Sequence, residues 1–445
     1  MNVLIVGAGQ VGESIAKDLA ADHEVTVVDQ QSERAEELAY SHDVLTITGD
    51  GTELTTLQEA DLADSDMVIA STDNDETNIV ICSTAAAHSE AFTIARIKHT
   101  NYLRTWEGVD RAFGIDDMVC TNLLTARSIT RVVGLPAAID VDPFAGGRVQ
   151  MAEFEISEAC PIVNQTVAEA DRYDSLTFAA VIRGDAVVIP DGETVITAGD
   201  RVVIIGSPES VHRFADGLEP AHPGDSVEEV AIFGGSEIGY HVTRLLGERG
   251  VTPRLIEQES TRARELAEEL PAAQVMQSDA TDVEFLERER IDEADVVVAA
   301  LESDEKNLLV SLLAKRLGVD RTVAVINTPS YVELFETVGV DVAINPRVVV
   351  AEEISKLTKS DAAENVVCIE SDKAEVIEVE VDADSVLVGR PIQESVADLP
   401  NGVVIGAITR NTSFVTPRGD TEIQPGDHVV LFVDASAIDD TTAKI

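Results

Sequence analysis

The amino-acid sequence predicts an α/β fold: two doubly wound parallel sheets, each followed by a small α+β module. A glycine-rich stretch, "VGAGQVG" from Val6 to Gly12, returns later as "FGGSEIG" from Phe233 to Gly239. Around both stretches, short apolar runs alternate with segments of helical period, which indicates parallel strands covered on both faces. Closely spaced strands with Gly, Asp and Pro turns then follow each region, which is typical of a small α+β module.

The elements of the first half can be assigned in order. Strands are predicted at "NVLIVG", "EVTVVD", "VLTIT", "DMVIAS" and "FTIARI", and the helical segments between them include "VGESIAKDLA", "SERAEELAY" and "ETNIVICSTAAA". The module after them contains "VQMAEFEI", "LTFAAVIRG", "AVVIP" and "DRVVIIG". Strands that are apolar throughout are typical of a parallel sheet with helices on both sides.

The second half repeats the first in order, spacing and chemistry. "VLIVGAGQVGESIAKDLA" matches "VAIFGGSEIGYHVTRLLG", and "DLADSDMVIASTDNDETN" matches "RIDEADVVVAALESDEKN". A second set of module strands follows at "AEVIEVEV", "VVIGAITRN", "FVTP" and "HVVLFV". Such self-similarity, with a period of about 228 residues, indicates a duplication.

Four domains follow from this repeat. We predict a Rossmann-type domain at 1–119 with a helical crossover to about 137, and a module at 138–219. The second Rossmann-type domain is predicted at 228–347 with a crossover to about 363, and the second module at 364–445. The segment "GLEPAHPGDSVEE" between the halves is predicted to be a linker.

The charge of the chain is its least ordinary property. Acidic residues number 82 and basic residues 32, which gives a formal net charge of −50 spread from end to end. Near molar salt the Debye length falls to about 3 Å and screens such self-repulsion, so the composition predicts a halophilic, high-salt cytoplasm. An acidic surface that steers a cationic partner is the alternative. Nucleic acid is not expected as a partner, because phosphate binding needs basic surfaces.

Cysteine and histidine spacing predicts neither a disulfide framework nor a metal site. The four cysteines lie far apart, and no H-E-x-x-H or C-x-x-C motif occurs. The sequence "MNVLIVGAG" enters a strand at once, and no apolar run reaches the ~18 residues that span a bilayer. We therefore expect a soluble, intracellular protein.

The first glycine loop has the pattern of a dinucleotide site. Gly7 permits a tight turn, Gly9 lets a pyrophosphate approach the backbone, and Gly12 lets helix and strand pack closely. The phosphates would meet the N-terminus of the helix that follows. Asp29, at the end of the next strand, would accept hydrogen bonds from ribose hydroxyls and repel a 2′-phosphate. These features favour NAD(H) over NADP(H).

Loops at the ends of the later strands should line the same crevice. Asp50 could bond an adenine amine or a ribose, or cap the following helix, and Gly51 would permit an unusual backbone angle. Thr72 and Asp73 could face the nucleotide, or belong to a capped helix start. Arg96 could reach a phosphate, or form a surface ion pair.

The second copy has changed at informative positions. Ser236 replaces the middle glycine, and its side chain would crowd the path of the phosphates. Glu257 and Asp279 retain the acidic positions, whereas Val325 stands where Arg96 stood and Glu302 where Asp73 stood. We expect this copy to bind nucleotide weakly or to serve as a structural repeat.

No catalytic constellation accompanies the glycine loops. A dehydrogenase would need an acid or base near the nicotinamide, and the added modules of about 70 residues offer none that is convincing. A duplicated nucleotide domain with small added modules therefore suits a sensor better than an NAD-dependent oxidoreductase.

The first half contains "VGAGQVG", "VVD", "GDGT", "STDNDETN" and "ARI", and the second half contains "GGSEIG" and "ESDEKN". Each half is followed by a module with "AGD" or "PGD". In this combination of motifs the chain resembles the TrkA family. The resemblance spans nearly the whole chain, as tandem RCK (regulator of potassium conductance) domains. It implies a cytoplasmic regulator, peripheral on the inner face of the membrane, which is not an enzyme and which acts on potassium uptake through an NAD(H)-dependent conformational change. It also implies a potassium-translocating partner of TrkH type and a homo-oligomeric ring, a dimer or tetramer of two-repeat chains. An NAD-dependent oxidoreductase and a nucleotide sensor for another transporter are the alternatives, in that order.

The resemblance also implies a set of nucleotide contacts. In the first half these are Gly7, Ala8, Gly9, Gln10, Val11, Gly12, Asp29, Asp50, Thr72, Asp73 and Arg96. In the second half they are Gly234, Gly235, Ser236, Glu237, Ile238, Glu257 and Asp279. Some relatives that respond to ATP carry arginine at the position of Gln10, so its absence favours NAD(H), with ATP or ADP as the alternative. The modules are expected to mediate dimerisation.

Overall fold

The computed structural model describes residues 1–109, 112–135, 137–184, 186–218, 229–358, 363–369, 373–411, 413–442 and 444. Most of the predicted linker "GLEPAHPGDSVEE" lies outside these ranges. The described residues form four sheets, two of six strands and two of five.

The first sheet is parallel, with the strand order β3-β2-β1-β4-β5-β6. Its elements are β1 (Asn2–Val6), α1 (Gln10–Leu19), β2 (Glu24–Asp29), α2 (Ser32–Ser41), β3 (Leu45–Thr48), α3 (Leu54–Glu59), β4 (Met67–Ala70), α4 (Asp75–His88), β5 (Phe92–Ile97), α5 (Thr100–Glu107), β6 (Asp117–Cys120) and α6 (Thr121–Val133). Helix α1 buries Val11, Ile15, Ala16 and Leu19 along one face, the spacing that seats a helix against a sheet. The order reverses between β1 and β4, which opens a crevice at the carboxyl ends of these strands.

An antiparallel sheet of order β10-β9-β11-β8-β7 follows. Its elements are β7 (Ala138–Phe144), β8 (Val149–Glu155), α7 (Val167–Ala170), β9 (Leu176–Arg183), β10 (Ala186–Val188), β11 (Arg201–Gly206) and α8 (Pro208–Leu218). Phe214 of α8 makes edge-to-face contacts with Phe154 and Phe178 at centroid distances of 5.3 and 5.5 Å. These contacts hold α8 on the face of the sheet.

The second parallel sheet, of order β14-β13-β12-β15-β16-β17, repeats the topology of the first. Its elements are β12 (Val230–Phe233), α9 (Glu237–Glu248), β13 (Arg254–Glu257), α10 (Ser260–Glu269), β14 (Gln274–Gln277), α11 (Val283–Arg288), β15 (Val296–Ala299), α12 (Asp304–Leu317), β16 (Arg321–Val325), α13 (Val332–Thr337), β17 (Val342–Ile344) and α14 (Pro346–Thr358).

The second antiparallel sheet has the order β18-β19-β22-β20-β21. Its elements are β18 (Ala363–Ile369), β19 (Ala374–Glu380), α15 (Ile392–Ser395), β20 (Val403–Arg410), β21 (Ser413–Val415), β22 (His428–Asp434) and α16 (Ile438–Thr442). Two Rossmann-type sheets, each followed by an antiparallel module, confirm the predicted fold class.

The chain divides into two compact units that do not follow its linear order. One unit contains Met1–Thr130 and Glu228–Thr358, and the other contains Arg131–Val227 and Lys359–Ile445. The first unit therefore holds both parallel sheets and the second holds both antiparallel sheets.

In the first unit, α14 of the second repeat packs against α1 of the first. Val350, Ala351 and Ile354 are 0 to 1% exposed and belong to the same core as Val11 and Ile15. Conversely, Arg249 of the second domain donates a hydrogen bond to the carbonyl of Thr130 in α6 (2.8 Å). The crossover helices thus join the two Rossmann-type domains.

In the second unit, the two modules share a core. Phe144 and Ile205 from the first module lie in one cluster with Ala407 and Phe432 from the second. A Cβ on Gly406 would lie 2.5 Å from the Cδ1 atom of Ile205, so this position lets the sheets approach closely. The modules therefore pair within one chain.

Candidate nucleotide-binding site

A pocket of about 660 Å³ lies at the carboxyl ends of the strands of the first parallel sheet. This is the crevice at the β1/β4 reversal, where ligands of open α/β sheets bind. Of the eleven residues predicted in the first half, ten line the pocket: Gly7, Ala8, Gly9, Gln10, Val11, Asp29, Asp50, Thr72, Asp73 and Arg96. The fold thus brings together residues that are up to 89 positions apart (from Gly7 to Arg96) in the chain.

Two glycines of the first loop are required by the fold. Gly7 has φ +109°, a left-handed conformation that favours glycine. Gly12 lies in the first turn of α1, close to the end of β1. A Cβ on Gly12 would lie only 1.8 Å from the carbonyl oxygen of Gly7. These two positions have the predicted turn and packing roles.

Gly9 differs, because a Cβ built there would meet no atom within 4 Å. Packing therefore does not explain this glycine. Gly9 precedes α1 and makes no side-chain cap, and the first N–H groups of a helix have no intrahelical acceptor. Open space beside uncapped N–H groups at the positive end of a helix fits a phosphate group.

Asp29 closes the loop from the end of β2. Its carboxylate accepts hydrogen bonds from the backbone N–H groups of Ala8 (2.7 Å) and Gln31 (2.8 Å). These bonds hold the carboxylate at the pocket wall, at the position that binds ribose hydroxyls in dinucleotide folds.

Asp50 forms a local turn instead of a helix cap. One carboxylate oxygen accepts from the N–H of Thr52 (2.9 Å) and from its hydroxyl (2.7 Å). Both bonds with Thr52 lower the pKa of Asp50 below its usual value, so it is a carboxylate at neutral pH. The expected unusual backbone angle at Gly51 is wrong, because its φ is not left-handed. A Cβ there would instead lie 2.2 Å from Val6, so close packing requires this glycine.

The "DETN" motif positions the loop after β4. The side chain of Asn78 accepts from the N–H of Thr72 (2.9 Å) and donates to the carbonyl of Arg96 (2.7 Å). Asp75 accepts from the N–H of Lys98 (2.9 Å), and Asn74 caps α4. The motif therefore links the ends of β4 and β5, and its second copy does the same: Asn307 bonds Leu301 and Val325.

Arg96 is a buried cation at the pocket wall. It is 3% exposed, and its Nε donates to the hydroxyl of Thr121 (3.2 Å). An Nη atom lies 3.7 Å from the carboxylate of Asp73. Burial lowers the pKa of Arg96 from its usual value, although Asp73 opposes this effect. Arg96 therefore pairs with an exposed carboxylate, while its own guanidinium is buried at the pocket wall.

Asp73 itself is exposed. Partial removal of the carboxylate from water acts to raise its pKa. The positive charges of Lys98, Arg96 and Arg347 outweigh this effect and hold the pKa of Asp73 below its usual value. The region around Asp73 is therefore cationic, in a chain with a large negative charge.

Two further arginines of the pocket wall were missed by the sequence analysis. Arg34, on α2, could have been found from its place one turn after the acidic end of β2. Arg347, on α14, belongs to the second repeat and gave no signal, because nothing local shows that α14 packs on the first domain.

The second glycine loop has the same backbone but a different surface. Gly234 has φ +110°, and a Cβ on Gly239 would lie 2.0 Å from the carbonyl oxygen of Gly234. Ser236, however, caps α9: its hydroxyl accepts from the N–H of Gly239 (3.2 Å) and donates to the carbonyl of Ala300 (2.7 Å). The serine thus uses an N–H group that would otherwise face an anion.

The other predicted residues of the second copy lie at equivalent positions. Gly235 and Ser236 form the turn into α9, whose first two residues are Glu237 and Ile238. Glu257 accepts from the N–H of Gly235 (2.7 Å). Bonds from the backbone and side chain of Thr281 lower the pKa of Asp279 below its usual value. Arg262 donates to the carbonyl of Gly235 (3.1 Å), so this guanidinium bonds the loop itself.

Within the described ranges, no group of three or more His, Cys, Asp or Glu side chains is arranged to hold a metal ion. Over the same residues, no helix is both long enough and apolar enough to cross a membrane.

Family models place both repeats in known domain types. The TrkA-N domain matches residues 3–121 and 230–346, and the TrkA-C domain matches residues 151–218 and 376–445. These matches define a chain with two pairs of TrkA-N and TrkA-C domains. Relatives over nearly the full length then give the family.

The relatives include the Trk system potassium uptake protein TrkA homolog 1 of Methanosarcina mazei, 36% identical over 98% of both chains. The Trk system potassium uptake protein TrkA of Halomonas elongata is 32% identical over 97% of this chain and 96% of the relative. That of Haemophilus influenzae is 30% identical over the same shares. The chain belongs to the TrkA family of potassium uptake proteins. These relatives are named as potassium uptake proteins and not as oxidoreductases.

Solved structures agree on the fold. The GsuK RCK domain superimposes with a TM-score of 0.62 at 20% identity, covering 99% of this chain and 95% of that one. The GsuK channel bound to NAD gives a TM-score of 0.61 at 20% identity, with 99% and 79% covered.

Proposed function

We propose that this chain is the nucleotide-binding regulatory subunit of a potassium uptake transporter and that it binds NAD(H) in the first pocket. The observation that carries this proposal is the open space beside Gly9, at an uncapped helix start and on a pocket wall that contains the buried cation Arg96. A pyrophosphate fits this combination of shape and charge.

The acidic wall of the pocket supports NAD(H) over NADP(H). Asp29 is held in place by two backbone hydrogen bonds, and its charge would repel a 2′-phosphate. A solved relative in fold, the GsuK channel, is described as bound to NAD. ADP and ATP remain the alternative ligands, since they share the adenosine and phosphate groups.

The second loop is proposed to bind nucleotide weakly. Ser236 caps α9, and Val325 replaces the arginine at the end of the fifth strand. The second repeat therefore has less positive charge and fewer unbonded N–H groups for an anion.

Regulation follows if nucleotide binds two conformations of the assembly unequally, because a ligand with equal affinity for both shifts nothing. We propose that the chain acts on an integral membrane potassium-translocating subunit of TrkH type, at the cytoplasmic face and within a homo-oligomeric ring. Allosteric coupling of about 1 to 3 kcal/mol between nucleotide and gate would be of the usual size. The names of the relatives as Trk system proteins support this partner.

The test compares Asp29→Arg with Glu257→Arg, its counterpart in the second repeat. We expect Asp29→Arg to abolish NADH binding in calorimetry, because it replaces the carboxylate that would bind the ribose hydroxyls with a cation. Glu257→Arg should change the affinity for NADH by less than about twofold. Potassium flux of the subunit reconstituted with its membrane partner should lose its response to NADH only in Asp29→Arg. Circular dichroism confirms that both variants fold.

The proposal would be contradicted if the wild-type protein bound none of the three ligands NADH, ADP and ATP. It would also be contradicted by an Asp29→Arg variant that loses NADH binding while its flux keeps the full nucleotide response.

A further inference from the structure

The first pocket contains a residue that its own repeat does not supply. Arg347 is the second residue of α14, at the end of the second parallel sheet, and lines the pocket together with the first glycine loop. It reaches this position because α14 packs on α1 through Val350, Ala351 and Ile354.

Local hydrogen bonds fix Arg347 at the mouth of the loop. Its backbone N–H donates to the side chain of Asn345 (2.8 Å), and one Nη atom donates to the carbonyl of Asn327 (3.0 Å). The same Nη atom donates to the side-chain oxygen of Gln10, the first residue of α1. The guanidinium therefore lies beside the helix start where a phosphate would bind.

The positive charge of Arg347 acts on the same part of the pocket. Arg347 contributes to the electrostatic environment of both Asp73 and Arg96, so two guanidinium groups face this region from different repeats. Guanidinium groups bind phosphates through paired hydrogen bonds, whereas the neutral Gln10 amide is a weaker partner.

The repeat makes the position asymmetric. Aligning "VAINPR" with "DMVCTN" puts Asn122 opposite Arg347, and both side chains donate to a carbonyl just after the fifth strand of their own sheet. Asn122 donates to Lys98 (2.9 Å) just as Arg347 donates to Asn327. The structural role is thus conserved between the repeats, whereas only Arg347 adds a charge.

We propose that Arg347 is a phosphate-binding residue of the first site, supplied by the second repeat, so that a bound pyrophosphate links the two Rossmann-type domains. This inference rests on the proposed function. On binding, the guanidinium exchanges its bond with Gln10 for phosphate oxygens and keeps its bond with Asn327. A ligand bound in the first site thereby restrains the position of α14 and of the second domain.

The test measures binding of NADH, ADP and adenosine to the full chain by calorimetry in Arg347→Gln, Arg347→Lys and the matched control Arg264→Gln on α10. We expect Arg347→Gln to weaken NADH and ADP by about tenfold or more, the usual value of a charged hydrogen bond. Adenosine, which has no phosphate, should change by less than about twofold, and Arg347→Lys should restore part of the affinity.

A second measurement addresses the link between repeats. Bound NADH should slow amide hydrogen exchange in α14 of the wild type, and this protection should shrink in Arg347→Gln at saturating NADH.

Two results would overturn the inference alone: unchanged NADH and ADP affinity in Arg347→Gln, or an equal loss for adenosine, which would indicate a structural role. Wild-type protein that binds no NADH or ADP would instead overturn the proposed function, and this inference with it.

Discussion

The two glycine loops of this chain share a backbone and differ in the surface that they present. Gly7 and Gly234 have φ of +109° and +110°, and Gly12 and Gly239 allow equally close contacts between helix and strand. The middle positions differ: Gly9 leaves open space, whereas Ser236 bonds the start of its own helix. Both copies therefore meet the requirements of the fold, whereas the middle position is open in one loop and hydrogen-bonded in the other.

The antiparallel modules show the opposite behaviour. Arg183 forms two hydrogen bonds with Asp200 (2.8 and 2.7 Å), and Arg410 forms two with Asp427 (2.9 and 2.7 Å). The aspartates belong to the "AGD" and "PGD" turns, so these motifs are explained by a buried carboxylate that pairs with a partly exposed arginine. The modules therefore share this ion pair, whereas the glycine loops differ at the middle position.

The largest effect is expected when the first loop is given the residue of the second. Gly9→Ser should weaken NADH binding by about 100-fold, because the hydroxyl would take an N–H group that a phosphate needs and its Cβ would fill the open space. Folding should be unharmed, since no atom lies within 4 Å of a Cβ at this position. Calorimetry measures the affinity, with Ser236→Gly as the control that leaves first-site binding unchanged. Wild-type affinity in Gly9→Ser would remove the proposed difference between the loops.

An intermediate effect is expected at the duplicated ion pairs, and it should be the same in both modules. Arg183→Ala and Arg410→Ala should each lower the free energy of unfolding by about 2 kcal/mol, because a carboxylate that is 1% exposed loses its charged partner. Urea unfolding monitored by circular dichroism gives the values. A loss in only one variant would show that the modules, too, have diverged.

The same pairs predict a pH dependence. Burial alone would raise the pKa of Asp200, but its bonds with Arg183 and Thr197 outweigh burial and hold the pKa below its usual value, and the same holds for Asp427 with Arg410. Their contribution to stability is therefore present above the unfolded pKa of about 4 and is lost as the pH falls through the lower folded value. The two alanine variants should show a shallower loss of stability below about pH 4 than the wild type.

The smallest effect concerns the cap in the second loop. Ser236→Ala should lower the free energy of unfolding by about 1 kcal/mol and Ser236→Gly by only a few tenths, the usual difference at the start of a helix. Thermal unfolding with and without NADH distinguishes this structural role from ligand binding, because neither variant should change the shift that NADH produces. A larger shift in Ser236→Gly would show that the serine had blocked a functional second site.

Much of the first site could be predicted because its residues follow local rules. A strand that ends just before Gly7, a helix that begins after Gly9 and an acid at the end of β2 each leave a pattern within about 20 residues. Gly51 shows the limit of this reasoning: the sequence marked the position as special, but the reason is contact with Val6, which is distant in the chain. Ser236 was recognised as an obstacle. Its bond with the N–H of Gly239 is a local helix cap, whereas its bond with the carbonyl of Ala300 depends on how β15 lies beside the loop.

By itself the sequence determined the duplication, the two sheet types and the glycine loops, because hydrophobic period and left-handed turns depend on neighbouring residues. Only the tertiary structure decided that like domains pair within the chain and that Arg347 of the second repeat lies at the first pocket. Those features depend on which apolar helix faces are buried together, and residues hundreds of positions apart contribute to each contact. Local patterns carry no record of such partners.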